Sequence, residues 1–413
     1  MKILHICTGW PLSTKGGITN YVNSLATTQA QNGINTYVMG APDSEEHTYK
    51  YIEYTSKKIV PFTFMRLIDK KGLAYINSIL KREQFDIIHI HAIEYIDWDL
   101  YQIIKNYHYV VSLHDYCFIC PRIEMYWLEY PCNGIPCEKY EEKKCKRCFS
   151  FLERFKVFRR GIARINEKFG THFKVPYIPQ DIAKTRYTKF SELLNNADYL
   201  LPVSYKVENI FRNSGITAKS KVLHIGNDSA TKFSENYEYN TNKHIIKIVF
   251  MGRMSVSKGA DLFIEIANHM KSNRNLEFNF LGRSGAYAEK LHAAGIIDRG
   301  PYKPDELPEL LKNYDLGMVL SLWNDNGPQV VMELLNNHVP VIGTSMGGIP
   351  DFVNNKNGYL FNPYNDDEKQ GLYHFLNTVT TDQIYQLKKN IKHTKTPKEH
   401  YDELMKIYEE ILG

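Results

Sequence analysis

An α/β protein made of two doubly wound, Rossmann-like domains is predicted by three observations. Short apolar runs alternate with amphipathic helical patterns. The alternation lapses in the polar stretch 227–244 and then restarts, as a linker between two domains would make it. And 413 residues exceed what one ordinary hydrophobic core holds.

In the first half, residues 2–7, 36–40, 86–91 and 109–114 read as buried parallel strands, because their apolar residues run on without alternation. Residues 17–32 read as a helix, with Tyr21, Val22, Leu25 and Ala26 on one face. In the second half the strands are 246–252, 277–282, 315–320 and 339–343, and the helices between them are 259–271, 305–313 and 328–337. The expected domains are residues 1–225, carrying a Cys-rich insertion at 117–148 and a basic amphipathic segment at 149–174, and residues 226–397. The last helical pattern, within 398–413, has no strand after it and is expected to pack back on the first domain.

Composition narrows the function. Hydrophobic residues at 43% and aromatics at 13% exclude a disordered chain, and a net charge of +5 is too small for a general polycation. No apolar run reaches 18 residues, so no transmembrane helix is expected, and the N-terminal apolar run is too short for a signal peptide and reads as a strand. A cytoplasmic location is the expectation.

In doubly wound sheets ligands bind beyond the carboxyl ends of the strands, so the loops there carry the chemistry. After the first strand, Gly16 and Gly17 open a helix whose N–H groups suit an anion. After the fourth, His114 and Asp115 stand at the strand end, with His114 as a candidate hydrogen-bond donor to substrate. After the strand ending at Gly252 come Arg253, Lys258 and Gly259. Two cations at a helix start match a diphosphate, through a bidentate guanidinium, an ammonium point charge and the helix dipole. The stretch 321–353 adds Asp325 in a loop and Glu333, eight residues on, about two turns into a helix; together they suit a polyol such as a sugar or ribose. Asp97 and Asp99 form a D-x-D pair of the kind that binds divalent metal, but in front of the apolar run 100–104 they read as a helix start.

Gly16-Gly17, His114-Asp115, Gly252-Arg253 with Lys258-Gly259, and the block 324–353 occur here in the order of a known family. The chain resembles retaining glycosyltransferases of the GT-B fold in family four, of the bacterial polysaccharide and lipid-glycan type, and 357–360 continues the match. The resemblance implies two Rossmann-like domains facing a central cleft. It places Glu333 on the ribose hydroxyls, Asp325 on the donor sugar, Arg253 and Lys258 on the diphosphate, His114 near the transferred sugar and Arg283 near the base. Gly16, Gly17, Gly252, Asn326, Gly327, Gly347 and Gly348 complete the implied donor site, with backbone amides of 346–349 at phosphate or sugar. The family usually has Glu where this chain has Asp325. The implied activity is hexosyl transfer from a nucleotide sugar, UDP-linked before GDP-linked, to a glycan or lipid-linked acceptor in cell-surface polysaccharide synthesis. With cations and helix N-termini to stabilise the leaving diphosphate, no catalytic metal is required.

Six of the seven cysteines lie between 117 and 148, ending in C-x-x-C on both sides. In a cytoplasmic protein that spacing favours structural zinc over disulfides. By the family match Cys120, Cys132, Cys145 and Cys148 are the ligands, with Cys117 and Cys137 as alternates. From 139 to 174 there are twelve Lys or Arg against four Glu, a net +8, interleaved with Phe and Ile; such a segment suits an anionic membrane surface at the inner face of the cell membrane. The competing readings are a nucleotide-sugar epimerase or phosphorylase of the same fold, a non-catalytic sugar-nucleotide binder, and a zinc-containing nucleic-acid-binding protein.

Overall fold

The computed structural model of the chain describes residues 1–8, 12–14, 16–53, 58–59, 66–67, 70–93, 98–120, 123–126, 132–148, 182–235, 239, 241 and 244–413. The basic segment 149–174 and Asp97 lie outside them. The chain divides into two compact units, Met1–Pro202 with Glu208–Lys221 and Tyr408–Gly413, and Val203–Val207 with Val222–Ile407. The passage to the second unit thus falls at Val222, where 226 was expected, and residues 408–413 belong to the first unit.

The first unit holds a six-stranded parallel sheet of β1 (Lys2–Thr8), β2 (Asn35–Gly40), β3 (Lys50–Glu53), β6 (Ile87–Ile93), β7 (Tyr109–Leu113) and β8 (Tyr199–Pro202), in the order β3-β2-β1-β6-β7-β8. A short antiparallel pair, β4 (Lys58–Ile59) and β5 (Arg66–Leu67), stands apart from it. Its helices include α1 (Gly17–Gln31), α2 (Lys70–Glu83), α3 (Trp98–Ile104), α4 (Glu142–Cys148), α5 (Ile182–Asn195) and α6 (Tyr205–Asn213). On α1, Val22, Leu25 and Ala26 are buried as the helical spacing requires, while Tyr21 is half-buried. Val22 and Ala26 pack on Cys7, Val38 and Ala92 of the sheet.

The second unit repeats the plan. Strands β9 (Ile246–Arg253), β10 (Leu276–Arg283), β11 (Ile297–Asp298), β12 (Leu316–Val319), β13 (Val341–Thr344) and β14 (Gly358–Phe361) pair in parallel in the order β11-β10-β9-β12-β13-β14. Side chains of a strand alternate between its faces, so Ile248 and Phe250 enter one core and Val249 and Met251 the other. Helices α7 (Ala260–His269), α8 (Ala288–Ala293), α9 (Leu307–Leu311), α10 (Gln329–Asn336), α11 (Asp366–Thr378), α12 (Thr381–Lys389) and α13 (Pro397–Leu412) complete the chain.

Two expectations are corrected. The stretch 227–244 is not a free linker where it is described: Asp228–Lys232 forms a 3₁₀ turn capped by Asn227, and the Tyr239 hydroxyl donates to buried Asp315 at 2.9 Å, both inside the second unit. And α10 starts at Gln329, not at 328, because Pro328 takes the N-cap position with ψ 86°, outside the helical range. Glu333 is therefore the fifth helical residue, little more than one turn in.

Candidate active site

Parallel pairing brings the carboxyl ends of β9, β10, β12 and β13 to one edge of the second sheet, and the loops beyond them carry the predicted residues. Register sets Gly252 opposite Gly282 and Arg253 opposite Arg283, so two exposed guanidinium groups leave adjacent strands at the same level. Past Arg253 the chain turns through 255–258 into α7. Gly259 caps that helix at φ 81°, and a Cβ there would lie 2.0 Å from the Leu320 carbonyl oxygen. Only glycine allows the β9 loop to close on the end of β12 in this way. The Leu322 N–H, donating to the Ser257 carbonyl at 2.8 Å, joins the same two loops.

Across this junction the Lys258 ammonium meets Asp325 Oδ2 at 2.5 Å and sits 5.3 Å from the centre of the Trp323 ring. Ser321 Oγ donates to the same carboxylate oxygen at 2.8 Å. Asp325 is buried, while the Lys258 side chain keeps 40% of its exposure. The Gly347-Gly348 turn closes on the backbone of Asp325: the Gly348 N–H donates to its carbonyl at 2.7 Å, and Gly347, at φ 58°, leaves no room for a Cβ, which would fall 2.0 Å from that carbonyl oxygen. Lys258, Asp325, Gly347 and Gly348 are thus brought together, with Asn326 buried beside them. Gly327 faces Val203 and Ile225 of the same unit. Ser321 and Trp323 are additional members that the sequence reading did not assign; their place two to four residues before Asp325, past a strand's carboxyl end, was the available signal.

Glu333 is carried by α10, which presents its apolar side to the sheet through Val331, Leu334 and Leu335. Buried Asn336 fixes the helix from behind, donating to Ser229 and Thr394, each at 2.8 Å. Burial pushes the Glu333 carboxyl up to about 7, and its charge in turn adds to the burial that raises the Tyr302 phenol.

In the first unit, Gly16 and Gly17 begin α1, and Tyr21, one turn further on, packs its ring edge against His114 with centroids 4.7 Å apart. His114 is half-buried at the end of β7. Asp115 turns inward instead, accepting from the Cys117 N–H at 2.8 Å, and burial raises its carboxyl. Of the D-x-D pair, Asp99 falls in the first turn of α3.

The cysteines were tested as a zinc site against their own geometry. Sulfurs held at about 2.3 Å on a tetrahedral ion stand about 3.8 Å apart. Cys132 and Cys137 are 3.6 Å apart, and Cys148 also borders Cys132. Helix α4 puts Cys145 and Cys148 three residues apart, on one face. The hydrogen bond with Cys132, aided by Lys144, brings the Cys137 thiol down to about 7, while Cys132 is pushed up. Cys137, an alternate in the sequence reading, is therefore a central member of the group. The spacing fits a thiolate-bound ion.

The two parallel six-stranded sheets and the loop chemistry at the edge of the second define a glycosyltransferase of the GT-B class. The profile described as "Glycosyltransferase Family 4" matches residues 15–144, and that described as "Glycosyl transferases group 1" matches 246–373, together more than half of the chain. The chain belongs to the family-four type of these enzymes. An uncharacterized 41.2 kDa protein in the cps region of Klebsiella pneumoniae is 23% identical over 361 residues, 86% of this chain and 83% of its own length. Among solved structures, a glycosyltransferase from Rickettsia africae superposes with a TM-score of 0.66 at 15% identity, covering 100% of this chain and 98% of its own. An Anabaena protein solved with UDP and glucose gives 0.60 at 14% identity, with 98% of each chain covered. No helix among the described residues is long and apolar enough to cross a membrane.

The raised carboxyl of Glu333 predicts a pH dependence of stability. Between about 4.5 and about 7 the unfolded chain has lost this proton and the folded chain has kept it. Folding stability therefore falls as pH rises through that window and levels off above it. In Glu333→Gln this contribution is absent, so the melting temperature of the variant minus that of the wild type grows from pH 5 to pH 7 and then stays constant. A difference independent of pH in calorimetry contradicts the assignment.

Proposed function

We propose that this glycosyltransferase retains anomeric configuration as it moves a hexosyl group to a glycan or lipid-linked oligosaccharide in bacterial cell-surface polysaccharide synthesis. The donor is a nucleotide sugar, UDP-linked before GDP-linked. The observation that carries the reading is the Lys258–Asp325 pair at the N-terminus of α7. It places an ammonium and a run of helix N–H groups where a leaving diphosphate needs positive charge, with Arg253 available beside them. Asp325 holds Lys258 and accepts from the hydroxyls of the donor sugar, and Glu333 accepts from the ribose. Trp323 Nε1 and Asn326 Oδ1, buried and without a hydrogen-bond partner among the described residues, are a donor and an acceptor that a bound sugar satisfies. The Anabaena protein's UDP supports the choice of base, and the cps location of the Klebsiella relative supports the pathway class. His114 faces the transferred sugar, and the acceptor hydroxyl attacks from the side of the leaving phosphate, which takes its proton. The basic segment 149–174 holds the enzyme at anionic lipid on the inner face of the cell membrane.

Lys258→Ala is expected to lower kcat by about 10²–10³-fold, the usual cost of removing one preorganised group at a developing charge, with the folded state preserved by circular dichroism. Turnover near the wild-type value in a folded variant rules this role out.

The same proposal includes a structural zinc held by four thiolates drawn from Cys120, Cys132, Cys137, Cys145 and Cys148, with Cys132 and Cys137 at its centre. It pins the loop that follows His114 and takes no part in transfer. Elemental analysis is expected to find one zinc per chain, and a strong chelator to lower the melting temperature. Metal-free protein whose stability ignores chelator contradicts it.

A further inference from the structure

Beneath His114 lie three more histidines of the first sheet. His5 of β1 stands in register with His89 of β6, and His91 is two residues further along β6 on the same face. All three are buried. Polar rings in a parallel sheet interior must find partners, and these form a series. Gln29 Oε1, on the buried face of α1, meets His5 Nε2 at 2.6 Å; His5 Nδ1 meets His91 Nε2 at 2.8 Å; His91 Nδ1 meets His114 Nε2 at 3.2 Å. A side branch joins His89 to the Tyr408 hydroxyl at 2.5 Å and to Ser112 Oγ at 2.8 Å.

Nitrogens of His5, His89 and His91 lie within 4.8 Å of one another, which raises the question of a metal ion. The geometry answers against one. Two imidazole nitrogens on a tetrahedral ion stand about 3.3 Å apart, whereas those of His5 and His91 meet at 2.8 Å. Both nitrogens of His89 are in hydrogen bonds, and its ring lies 3.8 Å from that of His91, centre to centre.

The series has a direction. A neutral imidazole has one donor and one acceptor nitrogen, and burial brings His5 down to about 4 against the opposing bond from Gln29, so its ring is neutral at pH 7. The Gln29 carbonyl oxygen only accepts, so His5 carries its hydrogen on Nε2 and a lone pair on Nδ1. His91 must then donate from Nε2 and accept at Nδ1, and His114 must donate from Nε2. The hydrogen of every ring is set by one amide in the core, and the outermost ring, half-buried at the strand end, is left with Nδ1 as its acceptor nitrogen.

We propose that Gln29, His5 and His91 are positioning residues that hold His114 in its Nε2–H tautomer, so that His114 meets the donor sugar as a hydrogen-bond acceptor and selects donors whose facing group is a hydroxyl. The proposal rests on the assignment of His114 to the sugar under Proposed function, and it replaces the donor role that the sequence suggests for this ring.

The test is a two-bond nitrogen–proton NMR correlation on the deuterated full chain labelled with ¹⁵N-histidine, with the ring of His114 identified by its loss in His114→Gln. In the wild type His114 is expected to carry hydrogen on Nε2 only. Gln29→Leu is expected to bring in the other tautomer and to lower kcat roughly three- to tenfold, the factor of one net hydrogen bond, without changing the acceptor KM. Gln29→Glu, whose carboxylate accepts from His5 as the amide oxygen does, is expected to restore both. Hydrogen on Nδ1 in the wild type, or an unchanged tautomer in Gln29→Leu, overturns the proposal; the wild-type spectrum decides even if a variant fails to fold. A tautomer that changes with transfer rates unaffected overturns the assignment of His114 to the sugar while leaving the ordered series standing.

Discussion

The Lys258–Asp325 contact ties together everything at the edge of the second sheet. Lys258 ends the loop after β9, and Asp325 lies in the loop after β12. Each loop is closed by a backbone contact that only glycine permits, at Gly259 and at Gly347. An ion pair with its lysine this exposed contributes about 1 kcal/mol or less to stability, so its worth is positional. It holds an ammonium over the start of α7, where the charge of a diphosphate gathers. Ser321 and the Gly348 N–H hold the aspartate in turn. The shorter acid at 325 fits this arrangement, because its carboxylate is drawn in toward Lys258 and Ser321 at the base of the loop.

The other acid works under the opposite constraint. Glu333 rides a helix whose neighbouring residues are core, and burial alone raises its carboxyl. Two acids eight residues apart in the chain therefore differ in character: one is held in an ion pair at the loop junction, the other is set in an apolar wall and open to neutral hydroxyl partners. That division suits a ligand with a charged diphosphate between two polyols.

Much of this was legible in the chain. The central strands announce themselves as unbroken apolar runs, since a parallel sheet covered on both faces has no polar side. The peripheral strands β3, β8, β11 and β14 escaped because they are two to four residues long and β11 is exposed, so they carry little apolar signal. The start of α10 was misjudged by one position because Pro328 is equally at home at a cap and in a first turn. What no local pattern reveals is pairing at a distance. Lys258 and Asp325 are 67 residues apart, and His5 lies 86 from His91 and 24 from Gln29. Nothing in the spacing of those residues marks them as partners until β1 and β6 are laid side by side. The Cys132–Cys137 contact was missed for a related reason, since the C-x-x-C spacing at the ends of the insertion drew attention away from the pair in its middle.

The most direct test of the account is calorimetric titration of the wild type and Asp325→Asn with UDP-, GDP- and ADP-sugars and the matching nucleotides. The account predicts saturable binding of one nucleotide sugar, tighter than its free nucleotide in the wild type, and in Asp325→Asn the nucleotide still bound while the sugar adds no affinity. Absence of saturable binding for every donor, or a variant that binds sugar and nucleotide as the wild type does, would contradict it.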